Sequence, residues 1–370
     1  MSLSEFEDVI RDASGGNVKV QKGDYLSSGR YPIIDQGQDF IGGYTDDASH
    51  LVKGKGPWIV FGDHTRALKF VDFPFCMGAD GVKVLQLLHP SKADLKYVCH
   101  FLLFADIPSA GYSRHYKFLK RLQIPLPPLD EQKRIAAILD KADQLRQKRR
   151  QAIALLDSLT QSIFLEMFGD PISNPRGFAV KELQEIVDPD RKITYGILMP
   201  GPDVPDGVPY VRVVDMRDGL VVVDQLRRTT SEIAQEYRRS SLRAGDLLIS
   251  IRGHVGRLAV TPPECGGANI TQDTARLAIA GAHPHYVSAL LSASEAQHWM
   301  AQRTKGVAVR GINLGDLKKF PVMLPAISEQ NDFARQVEQK LKVLQLKEAQ
   351  LNSSESLFCS LQHRAFTGQL

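Results

Sequence analysis

LPPLDEQKRIAAILDKADQLRQKRRQAIALLDSLTQSIFLEMFG, residues 126–169, decides how the chain is organised. Ile135, Ile138, Ala142, Leu145, Ala152, Leu156, Leu159 and Ile163 recur at steps of three, four or seven. That is the apolar stripe of a helix with a period near 3.5. No glycine or proline falls between Pro128 and Gly169. About 39 residues at ~1.5 Å each make a rod of roughly 58 Å, long for one compact domain. A rod of that length spaces two things apart.

The stretch occurs twice. LPPLDEQ at 126–132 returns as LPAISEQ at 324–330, and the match continues with Ile135 against Phe333, Leu139 against Val337, Leu159 against Leu357 and Phe168 against Phe366. Asp130 and Ser328 are N-cap residue types, and Glu131 and Glu329 place an acid in the first turn. Gly169, with Pro171 beyond it, and Gly368 are stop signals. Outside the rods, short strand-like runs are expected at 58–61, 81–88, 208–214, 220–223, 247–251 and 257–260, with helical runs at 93–104 and 284–302. The turn-rich DPISNPRG at 170–177 marks a boundary. The fold class is therefore mixed α/β (α+β): a globule over 1–125, a helix over 126–169, a second globule over 170–323 and a second helix over 324–370. Packing the two rods as an antiparallel coiled coil covers both stripes. It also sets the globules at opposite ends, about a pseudo-two-fold axis. Arg149 interrupts the first stripe and Ser354 the second, which leaves surface for a partner.

At 370 residues, 43% hydrophobic and 24% charged, the chain has room for two or three domains with real cores. No apolar run approaches the ~18 residues of a membrane span. The polar, acidic start is unlike a signal peptide. Cys76, Cys99, Cys265 and Cys359 are dispersed, as reduced thiols of a cytoplasmic protein would be. The net charge of +4 is unevenly spread. Residues 1–60 carry 6 basic and 9 acidic side chains (−3), and residues 61–128 carry 9 and 5 (+4). Residues 170–250 carry 11 and 13 (−2), and residues 251–325 carry 8 and 4 (+4). An acidic-then-basic order thus occurs twice, and locally basic surfaces suit a nucleic-acid partner.

Signatures of catalysis do not assemble. Asn174-Pro175-Arg176-Gly177 lacks the second proline and the aromatic of an adenine-methyltransferase tetrapeptide. There is no Walker A pattern. Glu131-Gln132-Lys133 and Glu338-Gln339-Lys340 match a nuclease tripeptide but lie on the rods, where a solvated helical face explains them. His283-Pro284-His285 has no cysteine or acid at ligand spacing. The expectation is a binding protein with no catalytic residue and no metal.

Two pairs of stretches suit nucleic acid. In 110–121, Arg114, His115, Lys117, Lys120 and Arg121 interleave with Tyr112, Tyr116 and Phe118, and the repeat equivalent at 303–319 supplies Arg303, Lys305 and Arg310. The second pair is 61–69, with His64, Arg66 and Lys69, and 250–257, with Arg252, His254 and Arg257. Gly253 and Gly256 would let backbone approach a partner closely. Gln36, Gln38, Gln272 and Asn269 carry amides of the kind that pair with adenine. A capped helix start at Asn313 and a ligand-free hairpin are the plain alternatives for these stretches.

IPLPPLDEQKRIAAIL (124–139), with its second copy at LPAISEQ, YPIIDQGQ (31–38) and DLLISIRGHVGR (246–257) give the chain a family likeness. Over essentially its whole length it resembles the specificity subunit of type I restriction–modification systems. The second copy departs after Glu-Gln, with Asn331 and Asp332 where the first has Lys133 and Arg134. The resemblance implies that each globule is a target-recognition domain reading one half of a bipartite, asymmetric site in double-stranded DNA. It implies that the helix pair sets the half-site spacing. It implies that modification subunits dock on the helices, with Glu131, Gln132, Arg149, Glu329 and Gln330 as docking positions, and methylate adenine with S-adenosylmethionine. Restriction subunits would add translocation and cleavage with ATP and Mg2+, and none of these cofactors would be bound by this chain. The alternatives are a specificity subunit of a type II system with a fused nuclease–methyltransferase, and a coiled-coil scaffold that binds no DNA.

Overall fold

The computed structural model describes every residue except Met1, Asp80, Ala110, Tyr112, Asp218 and 307–309, and the side chain of Asp157. Tyr112 of the aromatic–basic run therefore lies outside the described residues. The chain forms two units, Met1–Arg150 with Ala349–Leu370, and Gln151–Glu348. This differs from the expected cuts at 126, 170 and 324, because each long helix gives one part to each unit.

Unit 1 holds β1 (Ser2–Glu5), β2 (Trp58–Gly62), β3 (Val82–Leu87), β4 (Gln123–Leu126), α1 (Leu95–Phe104) and the first part of α2 (Leu129–Phe168). β2 and β3 lie at the centre of a four-stranded antiparallel sheet, with Ile10–Asp12 and Leu68–Val71 at its edges. Unit 2 holds β5 (Ala179–Glu182), β6 (Leu247–Ser250), β7 (Leu258–Val260), β8 (Thr274–Leu277), β9 (Pro321–Leu324), α3 (Pro284–Ser292), α4 (Ser294–Arg303) and the first part of α5 (Ile327–Phe366). β6 pairs antiparallel with both β7 and β8 in a six-stranded sheet. Two expectations change: the strand from 208 stops at Val211, and the helix over 284–302 breaks at Ala293, whose backbone is extended.

The repeat extends to individual hydrogen bonds. β1 pairs with β4, Ser2 opposite Leu126, as β5 pairs with β9, Ala179 opposite Leu324. Buried Tyr97 of α1 donates its hydroxyl to Pro125 O at 2.8 Å, and buried Tyr286 of α3 donates to Met323 O at 2.8 Å. Gln132 Oε1 accepts from Asp94 N at 2.9 Å, where Asp94 caps α1, and its Nε2 donates to Pro127 O at 2.8 Å. Gln330 Oε1 accepts from His283 N at 2.9 Å, where His283 caps α3, and its Nε2 donates to Pro325 O at 2.9 Å. Both glutamines are fully buried with their amides satisfied on both sides. This corrects their assignment as docking residues: they lock the start of each long helix to its unit.

The helix starts need a second correction. The helices begin at Leu129 and Ile327, so Asp130 and Ser328 lie inside the first turn. Pro128 O and Ala326 O receive the first backbone donors. Ala326 has an N–H to satisfy, and Glu329 accepts it at 3.1 Å. Pro128 has none, and Glu131 pairs instead with Arg134 at 2.7 and 2.8 Å. Gly169 and Gly368, at φ 79°, end the helices as expected.

The stripe is most deeply buried toward the ends of the helices, with Leu344 of α5 buried nearer its middle. In unit 1, Ile135, Ala136 and Leu139 pack into a core with Phe358 and Ala365 of α5. In unit 2, Phe164 and Phe168 stack around Tyr286 and Phe333 with ring centroids 5.0–5.8 Å apart. Leu145 and Leu159, expected in the stripe, are 44% and 39% exposed. Within unit 1 the helices run antiparallel, with Arg134 reaching Leu370 and Arg146 reaching Glu355 at 3.2 Å. The two interruptions of the stripe converge there, since Arg149 Nη1 and Ser354 Oγ both donate to Gln350 O.

Gln132→Ala leaves buried groups without partners, at a cost of ~1–3 kcal/mol. In a thermal melt this is expected to lower the unfolding temperature, by about 2–4 °C for each kcal/mol. Lys133→Ala, at an exposed neighbour, is expected to leave it within about a degree. Equal melts for the two variants would remove the lock from the fold's support.

Candidate nucleic-acid interface

In unit 1 the end of β2 and the 114–116 segment meet at Asp63, a residue the sequence reading passed over. Asp63 is 4% exposed. Its Oδ1 accepts from Tyr116 N at 2.7 Å, its carbonyl accepts from His115 N at 2.8 Å, and its own N–H donates to Gly81 O at 2.6 Å. Gln36 and His64 lie against Gly81, whose φ is 75° and where a Cβ would meet both within 2.8 Å. Thr65 Oγ1 donates to Gln36 O. The loop at 36–38, the turn at 62–66 and the 114–116 segment are thus brought together.

Some predicted contacts turn inward, and others are paired at the surface. Lys69 is 6% exposed and donates to Asp35 O and Asp39 O, pinning the loop that carries Gln36 and Gln38. Burial pulls its pKa below the ordinary lysine value, against the opposing pull of Asp35 and Asp39. His115 is 1% exposed, with Nδ1 2.9 Å from Asp63 O. Lys69 and His115 are therefore corrected from contacts to supports. Lys120 pairs with Glu7 at 2.6 Å, and the Arg66 guanidinium donates to Ile107 O at 2.9 Å. Gln38, Arg114 and Lys117 are exposed.

Unit 2 builds the counterpart with different atoms. The turn after β6 is closed by Ser250, whose Oγ accepts from Arg257 N at 2.8 Å and donates to His254 O. Gly253 N donates to Arg310 O at 2.8 Å, and Ile312 N to Ile251 O at 2.9 Å, so the 252–256 turn lies against the 310–312 segment. A Cβ at Gly256 would strike Gln297 Oε1 at 2.2 Å, and Gln297 Nε2 donates to Gly256 O at 3.0 Å. Exposed Arg252 donates to Gln272 Oε1 at 3.0 Å. Arg310 and His254, both exposed, line a pocket of about 470 Å³ with His298 and Thr304. Lys305 is exposed beside them, its backbone paired with Gly311.

Three residues again turn inward. Arg257 donates to Val213 O at 3.1 Å. Arg303 lies 3.8 Å over the Trp299 ring and donates to its carbonyl at 3.1 Å. Asn269 is 2% exposed and spends its amide on Ser240, Tyr237 and Ala234. Asn269 is a buried bracket, not a base reader.

Among the described residues no group of three or more His, Cys, Asp or Glu could hold a metal ion, and no helix is long and apolar enough to cross a membrane. His283 caps α3, with its Nδ1 accepting from His285 N at 3.2 Å. Burial holds both imidazoles below the usual histidine pKa.

The family model described as the type I restriction modification DNA specificity domain matches residues 2–155 and again 175–356. The chain belongs to this family. It is 32% identical over 278 residues to the type I restriction enzyme EcoBI specificity subunit of Escherichia coli, an alignment covering 67% of this chain and 58% of that subunit. Over 133 residues it is 32% identical to the EcoR124I/EcoR124II specificity subunit of Escherichia coli, 33% of each chain. The chain thus spans about three-fifths of the first relative's length. The crystal structure of a type I restriction–modification S subunit from M. genitalium has the same fold, with a TM-score of 0.63, 15% identity, and coverage of 99% of this chain and 96% of that one.

For a specificity-family chain the two classes of cation separate by experiment. Arg252→Ala and Arg310→Ala are each expected to weaken duplex binding and to flatten its log–log salt dependence by about one, with the melt unchanged. Lys69→Ala and His115→Ala are expected to lower the unfolding temperature. An unaltered salt slope in both arginine variants would exclude that turn from the interface.

Proposed function

We propose that the chain is the non-catalytic DNA-specificity subunit of a type I restriction–modification complex. Each unit reads one half of a bipartite, asymmetric site in double-stranded DNA, through the loops gathered at Asp63 in unit 1 and at Ser250 in unit 2. One observation carries this reading. The two units repeat the same glutamine and tyrosine bonds at the start of each long helix, yet present different exposed side chains from corresponding segments: Arg66, Arg114 and Lys117 in one, Arg252, His254 and Arg310 in the other. Like modules with unlike readers call for two different half-sites.

The long helices set the half-site spacing, since each belongs in part to both units. They also dock the modification subunits. Supporting this, Leu155 and Leu346 are the most exposed large apolar residues described on the two helices, at 72% and 64%. Glu131, Arg149 and Glu329 remain docking positions in this reading. S-adenosylmethionine is used by the modification subunits, and ATP and Mg2+ by the restriction subunits. The relatives named above are subunits of type I enzymes, so a type II arrangement is not carried forward.

Methylome sequencing of a host carrying the chain with its partners tests all of this. The expected result is one bipartite adenine-methylated motif. Replacing residues 1–125 with another recognition domain should change one half-site only. Removing one heptad from each long helix should shorten the spacer and leave both half-sites as they were. A spacer that survives the deletion would refute the ruler.

A further inference from the structure

A second basic concavity lies in unit 2, away from the turn after β6. Arg243 and Asp246 precede β6 whereas Arg252 follows it, so this pocket lies toward the other end of that strand. Its volume is about 520 Å³. Arg191, Arg238, Arg239, Arg243 and Lys318 line it, with Arg276 of β8 in its wall, and Asp190 is the one acid among the described lining residues. Asp246 neutralises Arg191 through two bonds of 2.8 and 2.6 Å. Arg238, Arg239 and Arg243 are exposed, and their side chains make no hydrogen bond among the described residues.

Arg276 is the decisive group. It is 3% exposed, yet no carboxylate pairs with it among the described residues. It donates to Lys192 O at 3.0 Å and Ser241 O at 3.4 Å, and its Nε has no partner among the described residues. Burial, reinforced by neighbouring Arg191 and Arg243, depresses its pKa against the opposing pull of Asp246 and Asp188, neither of which bonds to it. An unpaired buried cation is costly to a fold. The fold does not require it either. Val187 opposite Ile279 in unit 2 corresponds to Ile10 opposite Leu87 in unit 1. Three residues earlier on each strand stand Arg276 and Val84, and Val84 is fully buried. The same place in the sheet accepts an apolar side chain in one unit and a buried arginine in the other.

A single carboxylate would engage one guanidinium fork. A ring of forks around a cavity of this size fits closely spaced phosphate groups. We propose that this pocket is a phosphate-binding site, separate from the Arg252 turn, that takes the phosphates of a free polyphosphate or of a nucleic-acid backbone. The proposal goes beyond the half-site reading and does not rest on it.

Inorganic tripolyphosphate and a DNA duplex are titrated, at fixed ionic strength, into the full chain as wild type, Arg276→Val and the double variant Arg239→Ala/Arg243→Ala. Saturable tripolyphosphate binding that weakens about tenfold or more in both variants supports a free polyphosphate ligand. A tenfold loss confined to the duplex, whatever its sequence, supports backbone phosphate. Without either probe, Arg276→Val should melt at or above the wild-type temperature. Should it fail to fold, the double variant, which touches exposed side chains only, decides the matter. If neither probe distinguishes the double variant from wild type, the proposal is overturned.

Discussion

The buried glutamine at the start of each long helix is the contact on which the rest depends. Gln132 and Gln330 each accept from the backbone N–H of the cap of an earlier helix, α1 or α3, and donate to the carbonyl of a proline five residues earlier. An amide is suited to this, since it donates and accepts from one rigid plane, and a carboxylate could only accept. The first turn of the long helix, the earlier helix and the adjoining strand therefore move together. The tyrosine bonds at Pro125 and Met323 tie the same earlier helices to the adjoining strands. A rod that leaves its unit in one direction can act as a ruler only if its root does not swivel.

With the frame held from below, the loops at the strand ends are free to differ. Unit 1 gathers its loops on a carboxylate, Asp63, and unit 2 gathers them on a hydroxyl, Ser250. Neither hub is a reading residue. Each satisfies backbone donors that a buried turn would otherwise leave unpaired. Many of the basic residues serve the same end: Lys69 holds the 35–39 loop, and Arg257 ties the turn after β6 to Val213. The surface left for a polyanion is smaller than a census of charges suggests.

The long helices, their duplication and the central strands of each unit were legible in the sequence, because periodicity and repeated spacing are properties of the residues alone, whereas β1, β4, β5 and β9 were not foreseen. Nor was burial. AGYSRHYKFLKR reads as a basic–aromatic run, yet His115 is inside it and Lys120 is paired with Glu7, a residue more than a hundred positions away. SEQ and DEQ look like surface motifs because glutamine is usually exposed, and only the cap of a helix some 40 residues earlier makes them internal. Arg149 broke the apolar stripe in one dimension. In three it meets the carbonyl that Ser354 also uses, so the two irregularities are one polar contact.

That polar contact bears on how the two helices keep their register within unit 1. Aromatic and aliphatic cores hold the two ends, whereas Arg146 over Phe358, Arg150 with Glu355 and the Gln350 carbonyl occupy the interior of unit 1's helical contact. A continuous leucine seam would bury more area, but it would tolerate slippage by a turn. Directional bonds to one carbonyl do not. In the proposed spacer, register would be worth more than area, because a one-turn slip moves each root by about 5.4 Å. The polar contact in unit 1 therefore favours a fixed register over maximal buried area.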